Sequence, residues 1–173
     1  MGFRPRLVVG EDRDMQTCPE CGAVAAVPCR ELFEKLLALD HSRQEPWGPL
    51  HGVVVACYRL QHPAALPARD RGPALDLIHQ YERGGLDALQ RWAAHARRAN
   101  SHRLTGGRDR PFGDTRSAST ADGSRTRPDT DAVTGDSYAV TIADVAVDGT
   151  FPAAGHRRRV RSWARATLAT WGG

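Results

Sequence analysis

PCRELFEKLLALDHSRQEPWGPLHGVVVACYRLQHP, residues 28–63, decides the fold class. Pro28 suits the first turn of a helix, where its missing N–H costs nothing and its fixed φ is already helical. Leu32, Phe33, Leu36, Leu37 and Leu39 follow at helical spacing. The stretch SRQEPWG at 42–48 breaks that pattern, and LHGVVVACYRLQH, about 50–62, restores it as a second helix that Pro63 stops. Further along, a third helix is predicted from about Pro73 to Arg83, ended by Gly84 and Gly85. A fourth carries Leu86, Leu89, Trp92, Ala93 and Ala96 on one stripe and ends near Asn100. A last helix over about 155–171 places His156, Val160, Trp163, Ala164, Leu168 and Trp171 on one face, with Arg157, Arg158, Arg159, Arg161 and Arg165 around the remainder. Trp92, Trp163 and Trp171 read as core. YAVTIADVAV, 138–147, alternates apolar and polar residues at first and reads either as the one strand or as an extended lead-in to the last helix. The expectation is a mainly α fold: a small helical domain of about five helices with an N-terminal zinc knuckle.

Residues 101–137 differ in character. They are rich in Gly, Ser, Thr, Asp and Arg, with few apolar residues, and cannot bury enough surface to offset their ordering entropy. This segment is read as a flexible insertion or linker, the first fifteen residues as a loose leader, and 16–100 with 138–173 as one packed domain. The 173 residues suit a single domain, and no internal repeat is present. No apolar run approaches the roughly 18 residues of a membrane span, and Leu7-Val8-Val9 is far short of a signal-peptide core, so a cytoplasmic protein is expected. The net charge is +4, yet Lys35 is the only lysine among 24 basic residues. With abundant Ala and Gly, that reads as the codon bias of a high-GC bacterium. Without a basic-plus-aromatic stacking motif it makes nucleic acid an unfavoured partner.

Upstream of the first helix lies QTCPECGAVAAVPCR, 16–30. Cys18 and Cys21, two residues apart, can grip one tetrahedral ion, with Pro19 stiffening the turn and Gly22 free to take a positive φ. Cys29 sits in the first turn of a helix, where the dipole favours a thiolate. With a reducing compartment expected, these cysteines read as zinc ligands rather than a disulfide framework. A redox CxxC is the lesser reading, because no helix follows the motif directly.

For the fourth ligand, Cys57 shares a helical face with Leu50, Val53 and Leu60, the face that should enter the core. His51, Val55, Tyr58 and His62 share another. His51 and His62 lie about 16 Å apart by helical rise, so both cannot hold one ion. His51 is the preferred ligand and Cys57 the alternative, with His62 or another group also open. Tyr58, Gln61 and His62 form a candidate polar site at the helix end; if the protein is an enzyme, His62 with Tyr58 is expected to border the largest pocket, away from the zinc. Asp144 either caps a turn or hydrogen-bonds a histidine ligand. His79, His95 and His156 read as packed or exposed fillers. No serine triad, phosphate loop, HExxH or GxGxxG occurs.

CPECGA (18–23), Cys29 with RELFEKLLALD (30–40), LHGVVVACYRLQHP (50–63), VTIADV (140–145) and the V-R-x-W-A of the last helix together resemble a bacterial family catalogued as a domain of unknown function, number 5946. The resemblance covers about 16–100 and 138–171. It implies a small, mostly helical protein in which Cys18, Cys21, Cys29, His51, Cys57 and His62 match motif positions, and it implies no activity. The chain departs from the pattern in its long 101–137 insertion and in Ser137-Tyr138, where a bulkier basic-aromatic pair is expected. Three functions stay open: a zinc-stabilised accessory or binding protein whose partner is a small molecule or protein, a small metalloenzyme using the His51/Tyr58/His62 face, and a regulatory or nucleic-acid-binding protein using the Arg-rich last helix.

Overall fold

A computed structural model describes residues 15–105 and 137–172. The leader up to residue 14 and insertion residues 106–136 lie outside the described residues. The chain opens with a two-stranded antiparallel hairpin, β1 (Gln16–Thr17) and β2 (Val24–Ala25), in which Gln16 pairs with Ala25 and Thr17 with Val24. Helix α1 (Cys29–His41) follows, then a 3₁₀ turn at Gly48–Leu50 running directly into α2 (His51–Gln61). A second 3₁₀ turn, Pro63–Ala65, leads to α3 (Ala68–Thr105). After the insertion come the single-turn α4 (Ile142–Val145) and the terminal α5 (His156–Trp171). The fold is mainly helical.

Helix α2 is the centre of the packing and touches α1, α3 and α5. Val53, Val54, Ala56, Cys57, Leu60 and Gln61 are all buried, so α2 is covered on every side except the strip bearing His51, Val55, Tyr58 and Arg59. A helix apolar almost all round belongs in a core. Helix α1 is two-sided. Cys29, Leu32, Leu36 and Asp40 form its buried stripe, while Phe33 and Leu37 are half-buried one step around.

Two expectations need correction and one alternative is decided. Of the two readings left open for 138–147 the strand is not formed: Tyr138–Thr141 lead into the helical turn α4, closed by a capping box in which Thr141 and Asp144 satisfy each other's backbone N–H groups. The β pairing lies instead within the cysteine segment, apart from a small bridge between Val147 and Thr150. The third helix begins at Ala68, before Pro73, and α3 continues past Asn100. Its interruption falls where the double glycine predicts it, at Gly84 (φ −148°) and Gly85 (φ 60°). Trp92 is exposed rather than core, whereas Trp163 is fully buried.

Candidate metal centre and the adjoining cleft

The β1–β2 connection is a tight turn. Cys18 N–H donates to Ala23 O at 2.8 Å and Gly22 N–H to Cys18 O at 3.0 Å. Gly22 has φ +74°, and a Cβ there would stand 3.0 Å from the Cβ of Ser137, so only glycine fits between this turn and the returning chain. Tyr138 N–H donates to Cys21 O nearby. The turn thus presents Cys18 and Cys21 toward the first residue of α1, Cys29, and toward the residue that ends α2, His62.

One ligand atom from each of Cys18, Cys21, Cys29 and His62 lies within 4.8 Å of all the others, close enough to hold a metal ion. Among the described residues no other group of three His, Cys, Asp or Glu side chains gathers in this way. Cys21 Sγ stands 3.6 Å from Cys29 Sγ, and Cys18 Sγ 3.5 Å from His62 Nε2. A tetrahedral ion with bonds of about 2.3 Å to sulfur and about 2.0 Å to nitrogen has edges of about 3.8 Å (S–S) and about 3.5 Å (S–N). The observed separations are close to those edges and far from the roughly 2.05 Å of a disulfide. All four cysteines are free thiols.

His62 is oriented for ligation. Its Nδ1–H donates to the Tyr58 carbonyl at 2.8 Å, which fixes the tautomer and leaves the Nε2 lone pair facing the sulfurs. The ring also stacks on Tyr58, with centroids 4.1 Å apart, and Tyr58 stacks in turn on Phe33 of α1 at 3.7 Å. The titration of the group suits cation binding. The hydrogen bond from Cys29 outweighs burial and holds the Cys21 thiol down at about 4, with His62 adding to the effect. The same bond, with burial, pushes Cys29 up. Burial pulls His62 down, but hydrogen bonds to Cys21 and to the Tyr58 carbonyl raise it to about 9. Protons shared in this way are what a bound cation displaces.

His51, the expected fourth ligand, is not in this group. It sits at the opposite end of α2, its Nδ1 3.4 Å from Oδ2 of Asp40. The reason is the antiparallel pairing of α1 with α2. Phe33 meets Tyr58 mid-way, the end of α1 at Asp40 meets the start of α2 at His51, and the start of α1 at Cys29 therefore meets the end of α2 at His62. Cys57 lies in the core, fully buried, where burial pushes its thiol up. Gln61 points away from the metal centre. Its Nε2 donates to Val140 O and Thr167 Oγ1, tying α2 to the returning chain and α5. Asp144 is spent on the α4 cap rather than on a histidine. His79 and His95 are exposed, and His156 is fully buried.

Tyr58 and His62 line a cleft of about 790 Å³ among the described residues, and that cleft adjoins the candidate metal site instead of standing apart from it. Cys18, Cys29 and His62 form one end, and His41 and His51 line it as well. Phe33, Leu37 and Val55 make the wall apolar. Burial pushes the Tyr58 hydroxyl up to about 12, so that hydroxyl stays protonated and is no base near neutrality. Sequence reasoning missed Asp40 altogether. Its signal was a carboxylate in the buried i, i+3, i+4 stripe of α1.

No helix among the described residues is long and apolar enough to cross a membrane. No curated protein and no solved structure matches the chain. The model of one family matches residues 16–172, nearly everything from the hairpin to the end of α5, and the chain belongs to that family, the Family of unknown function (DUF5946).

Proposed function

We propose that Cys18, Cys21, Cys29 and His62 hold one zinc ion as a closed structural centre, and that the protein is an accessory or binding protein whose cleft the centre shapes. Three thiolates and one imidazole are a donor set typical of structural zinc, and four protein ligands leave no position for substrate. The observation that carries this reading is the orientation of His62. Its Nδ1–H is committed to the Tyr58 carbonyl, so Nε2 completes the tetrahedron begun by the sulfurs. In this role the ion pins the hairpin, the start of α1 and the end of α2 together, and these elements form one end of the cleft. The reading treats 16–100 and 138–173 as one domain interrupted by the 101–137 insertion, in a cytoplasmic bacterial protein. Elemental analysis of protein purified without chelator tests it. The expected result is one zinc per chain, lost in His62→Ala and kept in His51→Ala. Retention by His62→Ala together with loss from His51→Ala would overturn it.

A further inference from the structure

The end of the cleft away from the cysteines holds a second arrangement of titratable groups. Asp40 ends the buried stripe of α1 with its side chain fully enclosed, and neither carboxylate oxygen has a hydrogen-bond partner. Leaving such a group unpaired and out of water is unfavourable, so its presence calls for a reason. The structural explanation would be a cap on the start of α2, yet no side-chain cap bond is made there. What faces the carboxylate is His51, whose Nδ1 is buried against it at 3.4 Å. His51 is itself half-exposed and lines the cleft. It has no hydrogen bond among the described residues, so Nε2 is left toward the open side. His41 stands edge-on to the same ring at 5.3 Å, its own Nδ1–H occupied by Leu37 O. The neighbouring wall is apolar, and Arg59 on that wall makes no ion pair among the described residues.

We infer that His51, which faces Asp40, is the proton-accepting group of a small-molecule site in this cleft, and that its ligand is a compact molecule with an apolar body and one acidic oxygen. The ligand's O–H bond breaks and an Nε2–H bond forms on His51. The resulting imidazolium is offset by the Asp40 carboxylate through Nδ1–H, and the ligand oxyanion stays in a site with an arginine on its wall. His51 would touch the ligand, and Asp40 is a positioning residue that acts through it. Burial pushes Asp40 up to about 7, with His41 opposing, so the carboxylate that faces Nδ1–H is present above that pH. The inference builds on the binding reading above but uses none of the metal ligands.

Methyl 4-hydroxybenzoate is a suitable probe, because its phenol and phenolate absorb at different wavelengths and it is still mostly phenol where Asp40 is ionised. Mixed with the full-length zinc-loaded protein just above neutral pH, it should bind saturably and appear as phenolate. That enrichment should be about tenfold, equivalent to one pKa unit of proton transfer. His51→Gln should still bind through the apolar wall but leave the probe as phenol, and Asp40→Asn should lose most of the enrichment at unchanged zinc content. In the unaltered protein, 15N spectra of the histidine rings should show Nε2 of His51 gaining a proton when the probe is added. Absence of saturable binding, an identical spectrum in His51→Gln, or an unmoved His51 resonance would each overturn the inference. Loss of zinc from His51→Gln would instead overturn the assignment of the metal ligands.

Discussion

Removing the Tyr58 ring should weaken the fold and the metal centre together. The ring lies between Phe33 and His62, with centroid separations of 3.7 and 4.1 Å and interplanar angles of 1° and 22°. Each aromatic contact contributes about 0.5–1.5 kcal/mol beyond the area it buries. The half-buried ring removes about 100 Å² from water, which at about 25 cal/mol per Å² adds about 2.5 kcal/mol. Tyr58→Ala should therefore cost about 3.5–5.5 kcal/mol, at the upper end of the range for truncating a packed aromatic. The backbone acceptor for His62 Nδ1–H is the Tyr58 carbonyl and survives the change. Any loss of metal affinity then reports the stack alone, and about 10–100-fold is expected for a support of this kind. Urea unfolding of the zinc-loaded protein measures the first quantity, and competition with a chromophoric chelator the second. Tyr58→Phe, which keeps both stacks, should stay within about 0.5 kcal/mol of wild type. If Tyr58→Ala left zinc affinity unchanged, the stack would not orient His62 and this reasoning would fail.

Cys57→Ala should keep the zinc and lose roughly 1–3 kcal/mol to a small core cavity, read from the denaturation midpoint; a zinc-free product would return Cys57 to the ligand set. His156 is fully buried with neither ring nitrogen bonded, and burial, aided by Arg159, lowers it from 6.5 to about 4. The unfolded chain therefore takes up this proton first as the pH falls, and stability should drop between pH 6.5 and 4 by on the order of 3 kcal/mol. His156→Leu should flatten that part of the stability-against-pH curve relative to wild type, and parallel curves would contradict the assignment.

Much of the fold was legible because helices are written in local periodicity. Pro28, Pro63 and the Gly84-Gly85 pair mark ends and breaks through backbone chemistry that tertiary contacts do not override. YAVTIADVAV stayed ambiguous for a physical reason. Its alternation comes from a short connection pinned by Tyr138, Gln61 and the Thr141–Asp144 cap, with pairing confined to one bridge at Val147. At the candidate metal site the grouping of the three cysteines was legible from spacing, but whether His51 or His62 stands beside them depended on which end of α2 the hairpin meets. That followed from the register of two antiparallel helices joined by a short turn. Applying the same register would have placed Asp40 beside His51 and exposed the second cluster.

The central claim is the identity of the four ligands around a zinc ion. X-ray absorption at the zinc edge, on protein purified without chelator, reads it directly. One zinc per chain is expected, with three sulfur neighbours at about 2.3 Å and one nitrogen at about 2.0 Å, and loss of the nitrogen shell in His62→Cys. Four sulfur neighbours in the unaltered protein, or a shell with water oxygen in place of nitrogen, would contradict it.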